Sequence, residues 1–289
     1  MQESSVESGS PAAGMTEEMP GTSLPVEAPG PRAASDDPAT VIAAGILAAT
    51  LAALCHETLG HGLACVGVGG RIILLTSIWF QCQGATSLTD AGGPLASLVA
   101  GAAAFALLSL DISRGVARFV LILFGALSLF WFAGQLIDHA LINGDDWGFI
   151  ARRNSWPWIW RPIAATIGVA AYAAAIGLSR ALLRRKDAPG RNAIRLAYAA
   201  GAASAVIAGL MWRPEPIRSA LEGFLTLGIA PLGLLVAARR AGGDADGITL
   251  VPPMARSWRW IAVSLVVFAI FLFVQARGLG SLAAIGRPR

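Results

Sequence analysis

The stretch from Val41 to Val66 reads VIAAGILAATLAALCHETLGHGLACV, and it combines the two properties that decide how this chain folds. Its first half is apolar and carries no charged side chain, whereas its second half contains His56, Glu57 and His61. An apolar helix of about 20 residues crosses the hydrocarbon core of a bilayer. Ionisable side chains at that depth are costly and usually mark a function. We therefore expect a membrane-spanning helix with a functional site near its end.

The rest of the chain has the composition of a membrane protein. Of its 289 residues, 55% are hydrophobic and only 14% are charged, whereas roughly a quarter of the residues of a soluble domain are charged. The sequence predicts an all-α fold, a polytopic transmembrane helical bundle of six or seven spans. The predicted spans are 41–66, 93–110, 116–141, 162–183, 194–212, 217–238 and 258–276.

The segment between the first two predicted spans is not typical of a helix. Residues 69–80 are rich in β-branched and aromatic side chains, and the polar run 81–86 follows them. Such a pattern favours a short extended or re-entrant hairpin.

The distribution of charge excludes one class of partner and indicates an orientation. All but one of the basic residues are arginines, and they lie near the ends of the predicted spans, where membrane anchors are common. We therefore expect no nucleic-acid partner. Basic residues are more numerous in the N-terminal tail and the loops on its side than on the opposite side, which favours a cytoplasmic N-terminus.

The three cysteines, Cys55, Cys65 and Cys82, are too few for a disulfide framework. Cys55 and Cys65 flank the histidine-containing stretch. We expect them to be small apolar fillers, the usual role of a buried cysteine, and not metal ligands.

The stretch His56-Glu57-Thr58-Leu59-Gly60-His61 is one residue longer than the zinc signature His-Glu-x-x-His. In that signature both histidines share one helical face, and the glutamate is the general base. On an ideal helix the extra residue would rotate the second histidine by about 140° from the first, instead of about 40°. A one-residue π bulge would restore their convergence, and Gly60 and Gly62 would lower its conformational cost. The sequence thus predicts a metal site on a bulged helix, the alternative being a buried hydrogen-bonded trio.

The lengthened motif resembles the zinc signature of the dipeptidyl peptidase III family, whose members are soluble. Its membrane context resembles the site-2 protease family of intramembrane zinc metalloproteases over about residues 45–110. His61–Ala64 (HGLA) is similar to that family's His-Ala-Leu-Ala, an extended segment led by two glycines starts at Gly69, and Asp90–Ser97 (DAGGPLAS) is similar to Ala-Gly-Pro-Leu-Ala-Asn.

The resemblance implies a third metal ligand, an aspartate from a later span. The matching stretch is Asn143–Trp147 (NGDDW), at the end of the third predicted span, and we assign the ligand role to Asp146. Asp145, His139 and Asp138 remain rival ligands. A solvated loop acid that caps the following turn is the alternative for Asp146.

The expected function follows from this resemblance. His56, His61 and Asp146 would bind Zn²⁺, and Glu57 would be the catalytic base. The protein would be an intramembrane zinc metallopeptidase that hydrolyses a peptide bond of a membrane-embedded protein or peptide, with segment 71–80 as an edge for strand addition. The alternative is a non-enzymatic polytopic membrane protein, either a transporter or a protease-like domain that binds partners.

Two domains are expected. Residues 1–39, with seven acids and one base, have the composition of a disordered acidic tail. Residues 40–289 would form the transmembrane domain, with a metalloprotease core at 40–150 and additional helices at 151–289. We expect a multi-pass protein of the bacterial inner (plasma) membrane, in contact with the lipid bilayer, and the sequence leaves its oligomeric state open. A cytoplasmic N-terminus would place the motif toward the outer face, opposite to the side that the site-2 protease resemblance implies.

Overall fold

The computed structural model describes residues 36–110, 113–185, 189–241 and 253–280. Apart from residues 36–39, the predicted N-terminal tail lies outside the described residues. The first helix begins within that remainder, at Pro38, where a missing backbone N–H is tolerated. The side chain of Asp37 caps this helix, because its carboxylate accepts a hydrogen bond of 2.9 Å from the backbone nitrogen of Thr40.

Helices make up most of the described chain. They are α1 (Pro38–Ala53), α2 (Leu63–Gly67), α3 (Ser87–Ser109), α4 (Gly115–Ile142), α5 (Asp145–Arg153), α6 (Trp160–Leu183), α7 (Arg191–Leu210), α8 (Pro216–Phe224), α9 (Leu232–Ala241) and α10 (Trp258–Ile270). Three π-helical segments continue α1, α8 and α10, at Leu54–Gly62, Leu225–Ile229 and Phe271–Ala276.

Seven helical stretches of the described chain are long and apolar enough to cross a membrane. Spans 1 to 7 are Pro38–Gly67, Ser87–Ser109, Gly115–Ile142, Trp160–Leu183, Arg191–Leu210, Pro216–Arg239 and Trp258–Ala276. Each predicted span has its counterpart, so the prediction of an all-α helical bundle is confirmed. Span 3 is the most enclosed, since 78% of its most apolar stretch is buried, against 22% for spans 4 and 7. It therefore forms the centre of the bundle.

A small sheet follows span 1. Strands β1 (Arg71–Leu75) and β2 (Phe80–Gln83) form the predicted hairpin, and β3 (Leu279–Gly280), which follows span 7, pairs with the other edge of β1. The order β2-β1-β3 leaves β1 in the centre. Segment 71–80, which we expect to offer an edge for strand addition, instead contains the central strand β1. Only its last residue, Phe80, belongs to an edge strand, β2.

A disulfide bond links Cys65, near the end of span 1, to Cys82 of β2. The prediction that Cys65 is an apolar filler is therefore wrong, since the hairpin folds back on the end of its own helix. Cys55 is a free, buried cysteine, as expected.

The ends of spans 1 and 7 are joined to the hairpin by one buried glutamine. Gln275 of span 7 accepts a hydrogen bond of 2.8 Å from the Thr58 hydroxyl in span 1. Its amide nitrogen donates a second bond of 2.8 Å to the carbonyl oxygen of Thr76, in the turn of the hairpin. Next to this turn, Trp79 packs edge-on against Trp212, which follows span 5. The ends of spans 1, 5 and 7 thus meet at the sheet.

Candidate metal centre

The histidine-containing stretch lies in a π-helical segment, Leu54–Gly62, and not in a regular α-helix. The predicted bulge is therefore confirmed. The rings of His56 and His61 lie 4.9 Å apart, and the two side chains are only 1% and 4% exposed. The additional residue of the motif is absorbed by the wider turn, so both imidazoles point to one place.

The acidic turn after span 3 lies next to the two imidazoles. Asn143 and Asp145 adopt left-handed backbone conformations, with φ of 54° and 61°, which reverse the chain sharply. The turn brings Asp146 Oδ2 to 3.3 Å from Nε2 of His56 and to 3.3 Å from Nε2 of His61. Potential ligand atoms of these three residues all lie within 4.8 Å of one another.

The three rival ligands, Asp138 among them, do not join this group. Asp145 supports the turn instead, because its Oδ1 accepts a hydrogen bond of 2.8 Å from the backbone nitrogen of Asp146. His139 is buried in span 3, and its Nδ1 has no hydrogen-bond partner among the described residues. Of the four candidates, only Asp146 meets both histidines.

Two of the three distances among these atoms fit a shared cation. Zn²⁺ binds imidazole nitrogen and carboxylate oxygen in a tetrahedron, with bonds that place neighbouring ligand atoms about 3.3 Å apart. Direct N–H···O hydrogen bonds have a typical length of about 2.9 Å. Both Nε2–Oδ2 distances match the first value better than the second. The buried group of His56, His61 and Asp146 can therefore hold a metal ion.

Span 2 fixes the orientation of both imidazoles. Nδ1 of His61 lies 2.8 Å from the carbonyl oxygen of Thr89, and Nδ1 of His56 lies 3.0 Å from the hydroxyl of Ser97. A carbonyl oxygen only accepts, so Nδ1 of His61 carries the hydrogen, and a neutral ring has its lone pair on Nε2. Partners of this kind orient histidine ligands in metal sites.

Aromatic rings enclose the two histidines. His56 stacks on Trp131 of span 3 with ring centroids 4.1 Å apart, and His61 lies over Phe80 of β2 at 5.3 Å. The hairpin thus contributes directly to one wall of the site.

Glycines allow span 2 to approach the motif. A Cβ atom on Gly60 would lie 2.6 Å from the Cα of Gly93 and 2.7 Å from the carbonyl oxygen of Gly92. A Cβ atom on Gly62 would make only ordinary contacts, the nearest at 3.5 Å. Of the two glycines that we expected to ease the bulge, only Gly60 is required by the packing of the helices.

Glu57 lies in the same π-helical segment. Its side chain is 2% exposed, and its Oε2 has no hydrogen-bond partner among the described residues. A buried carboxylate oxygen without a partner is expensive, so it is typical of a group held for chemistry.

The two acids of the turn have different affinities for protons. Burial raises the pKa of Asp145 well above its usual range, and the neighbouring Asp146 carboxylate raises it further. Burial also acts to raise the pKa of Asp146, but the imidazoles of His61 and His56 outweigh it and lower that pKa below its usual range. Asp146 is thus the acid that remains ionised beside the histidines.

Helix α5, which begins at this turn, is fastened to the start of span 2. Arg153 forms an ion pair of 3.0 Å with Asp90, and the side-chain amide of Asn154 donates a hydrogen bond of 2.7 Å to the Ser87 hydroxyl. These contacts connect the acidic turn to the helix that orients the histidines.

Gln135 of span 3 was not predicted as a site residue. Its amide nitrogen lies 2.8 Å from Asp146 Oδ2 and 3.0 Å from Asp145 Oδ1. The only signal in the sequence was a polar side chain inside an apolar span, which does not identify a partner.

No protein-family model, no curated protein and no solved structure matches this chain. Its resemblance to the site-2 proteases therefore stays a prediction, and the case for a function depends on the geometry of the site.

Proposed function

We propose that this protein is an intramembrane zinc metallopeptidase that hydrolyses a peptide bond of a membrane-embedded substrate. The observation that carries the proposal is the convergence of His56 Nε2, His61 Nε2 and Asp146 Oδ2 inside a seven-span bundle, with Glu57 buried in the π-helical segment that holds both histidines. The alternative is a non-enzymatic membrane protein that keeps this group as a structural ion trio.

The donor set favours zinc. Two imidazole nitrogens and one carboxylate oxygen are typical of catalytic zinc sites, which keep a fourth position open. When bound, zinc acts as a Lewis acid and makes water acidic enough to ionise near neutral pH. His56, His61 and Asp146 would hold the ion.

Glu57 is the catalytic residue in this proposal. A carboxylate whose Oε2 has no partner among the described residues is free to accept a proton from the attacking water. The same carboxyl group would then donate that proton to the leaving amine. Its burial excludes competing solvent from this exchange.

The sheet supports a peptide as the substrate. Strand β2 is one of the two edge strands of the described sheet, and its first residue, Phe80, lies over His61. A peptide that adds to an exposed strand is held by main-chain hydrogen bonds. An extended peptide paired with β2 would therefore pass next to the metal site.

The site would open on the outer face of the membrane. The disulfide between Cys65 and Cys82 links the end of span 1 to the hairpin that follows it, on the side of the site. Disulfides persist in oxidising compartments such as the bacterial periplasm. The charge distribution, which favours a cytoplasmic N-terminus, places the end of span 1 on this same outer side. These two features support a location in the bacterial inner membrane with the site facing outward.

Metal analysis of the purified full-length protein tests the proposal. We expect about one zinc per chain, and we expect it to be lost in His56→Ala and in His61→Ala. His139→Ala is the matched control, because it removes the third and last histidine of the chain, which lies outside the group. Wild-type protein without zinc, or equal zinc in all three variants, would contradict the proposal.

A further inference from the structure

Gln135 is a buried polar side chain in the most enclosed span, and its amide nitrogen lies within hydrogen-bond distance of two acids. The residue is 6% exposed. Its Nε2 lies 2.8 Å from Asp146 Oδ2, 3.0 Å from Asp145 Oδ1 and 3.5 Å from His56 Nε2. A primary amide nitrogen has two hydrogens to donate, which matches the two carboxylates.

The orientation of this amide follows from its neighbours. Rotating the group by half a turn would direct Oε1 at Asp146 Oδ2, and two acceptors would then face each other without a hydrogen. In the observed orientation Oε1 has no hydrogen-bond partner among the described residues. The amide oxygen is thus left without a hydrogen bond, while the amide nitrogen donates to both acids.

The acidic turn needs such a partner. Asp145 and Asp146 are adjacent in sequence, and their carboxyl groups share one donor, so they repel each other whenever both are ionised. Asp145 also has a φ of 61°, which is unfavourable for a residue with a side chain. A neutral amide offsets the repulsion without adding a positive charge that would compete with a bound cation.

We infer that Gln135 is a positioning residue that fixes Asp146 as the third metal ligand. This inference rests on the metal site proposed above. Gln135 donates to the same oxygen, Oδ2, that faces His56 and His61. Because that oxygen has two lone pairs, the bond from Gln135 occupies one and directs the other toward the imidazoles.

A double-mutant cycle tests the inference. Gln135→Met keeps the length of the side chain and removes both donors, and Gln135→Glu keeps the shape but replaces donors by acceptors. We expect each to weaken zinc binding about 10- to 100-fold, as measured by competition with a chelator, because groups that orient ligands have effects of this size. In an Asp146→Ala background, the same changes should have no further effect on zinc affinity.

The control and the readouts separate this role from a general loss of structure. Gln81→Met alters an exposed glutamine of β2 and should leave zinc affinity unchanged. Cobalt-substituted protein gives a second readout, since its visible absorption bands should change in the Gln135 variants and not in Gln81→Met. Two results would overturn the inference and leave the metal site intact. One is a Gln135 variant that binds zinc with wild-type affinity. The other is a Gln135 variant that loses as much zinc affinity in the Asp146→Ala background as in the wild-type background. Wild-type protein that binds no zinc would overturn the metal site, and the inference with it.

Discussion

Gly93 in span 2 lies so close to His61 in span 1 that a Cβ atom on this glycine would overlap Nε2 of the imidazole. The same Cβ atom would also overlap Nε2 of His56. The space next to both nitrogens therefore exists only because residue 93 has no side chain. It is the space that a shared cation would need.

Gly93→Ala should prevent zinc binding, because the added methyl group competes with the ion for this space. We expect zinc affinity to fall by at least about 100-fold, the upper end of the effects found for residues behind metal ligands. Metal analysis after gel filtration measures the result. Gly177→Ala is the matched control, since a Cβ atom there meets nothing within 4 Å. Full zinc content in Gly93→Ala would show that the ion does not bind between the two histidines.

Glu57→Gln should keep the metal and lose hydrolysis. The amide has the shape of the carboxylate but cannot accept the proton of water, and general-base catalysis contributes about 10²- to 10⁴-fold to rates. Cleavage of apolar transmembrane reporter peptides in detergent micelles measures the loss, and zinc content is determined on the same samples. Glu215→Gln, an exposed acid that pairs with Arg218, is the control for removal of a carboxylate. Cleavage at the wild-type rate by Glu57→Gln would eliminate Glu57 as the base.

The disulfide predicts a pattern of thiol labelling. In denatured protein that has not been reduced, we expect a maleimide reagent to label Cys55 alone, and after reduction to label all three cysteines. The double variant Cys65→Ser/Cys82→Ser should unfold at a lower temperature, since closing a loop of this length contributes about 3 kcal/mol. Cys55→Ser should have no such effect. Labelling of all three cysteines without reductant would refute the link and, with it, the support for an oxidising compartment.

Much of the fold could be predicted because its signals are local. A membrane span is recognised from about 20 consecutive residues, and all seven predicted spans have helical counterparts. The bulge at Leu54–Gly62 was predictable too, because two histidines five positions apart converge only on a widened turn.

The remaining features depend on contacts between distant segments. The way in which the helix ends meet determines the pairing of Cys65 with Cys82, the position of β3 beside β1 and the two acceptors of Gln135. The periodicity of the sequence does not indicate these contacts. The resemblance drew attention to Gly92 and Gly93 as part of a motif, but it gave no reason for them. Their role depends on the close approach of the motif helix to span 2, which the sequence does not indicate.

Gly60 and Gly62 belong to the same π-helical segment but have different surroundings. Spans 1 and 2 touch backbone to backbone at Gly60, where a Cβ atom would lie under 3 Å from atoms of both Gly92 and Gly93. Gly60→Ala should therefore force the two spans apart, at a cost of about 1–3 kcal/mol for overpacking. Because Thr89 and Ser97 orient the imidazoles from span 2, the same displacement should also weaken zinc binding.

Gly62→Ala is a strict control for this change. It places the same methyl group in the same π-helical segment, where that group would make only ordinary van der Waals contacts. Thermal unfolding in detergent, with and without added zinc, compares the two variants. We expect the unfolding temperature of Gly60→Ala to fall and that of Gly62→Ala to stay close to wild type. Equal losses in both would mean that alanine is unfavourable in the π-helical turn itself. The close approach of span 2 would then not explain why residue 60 is a glycine.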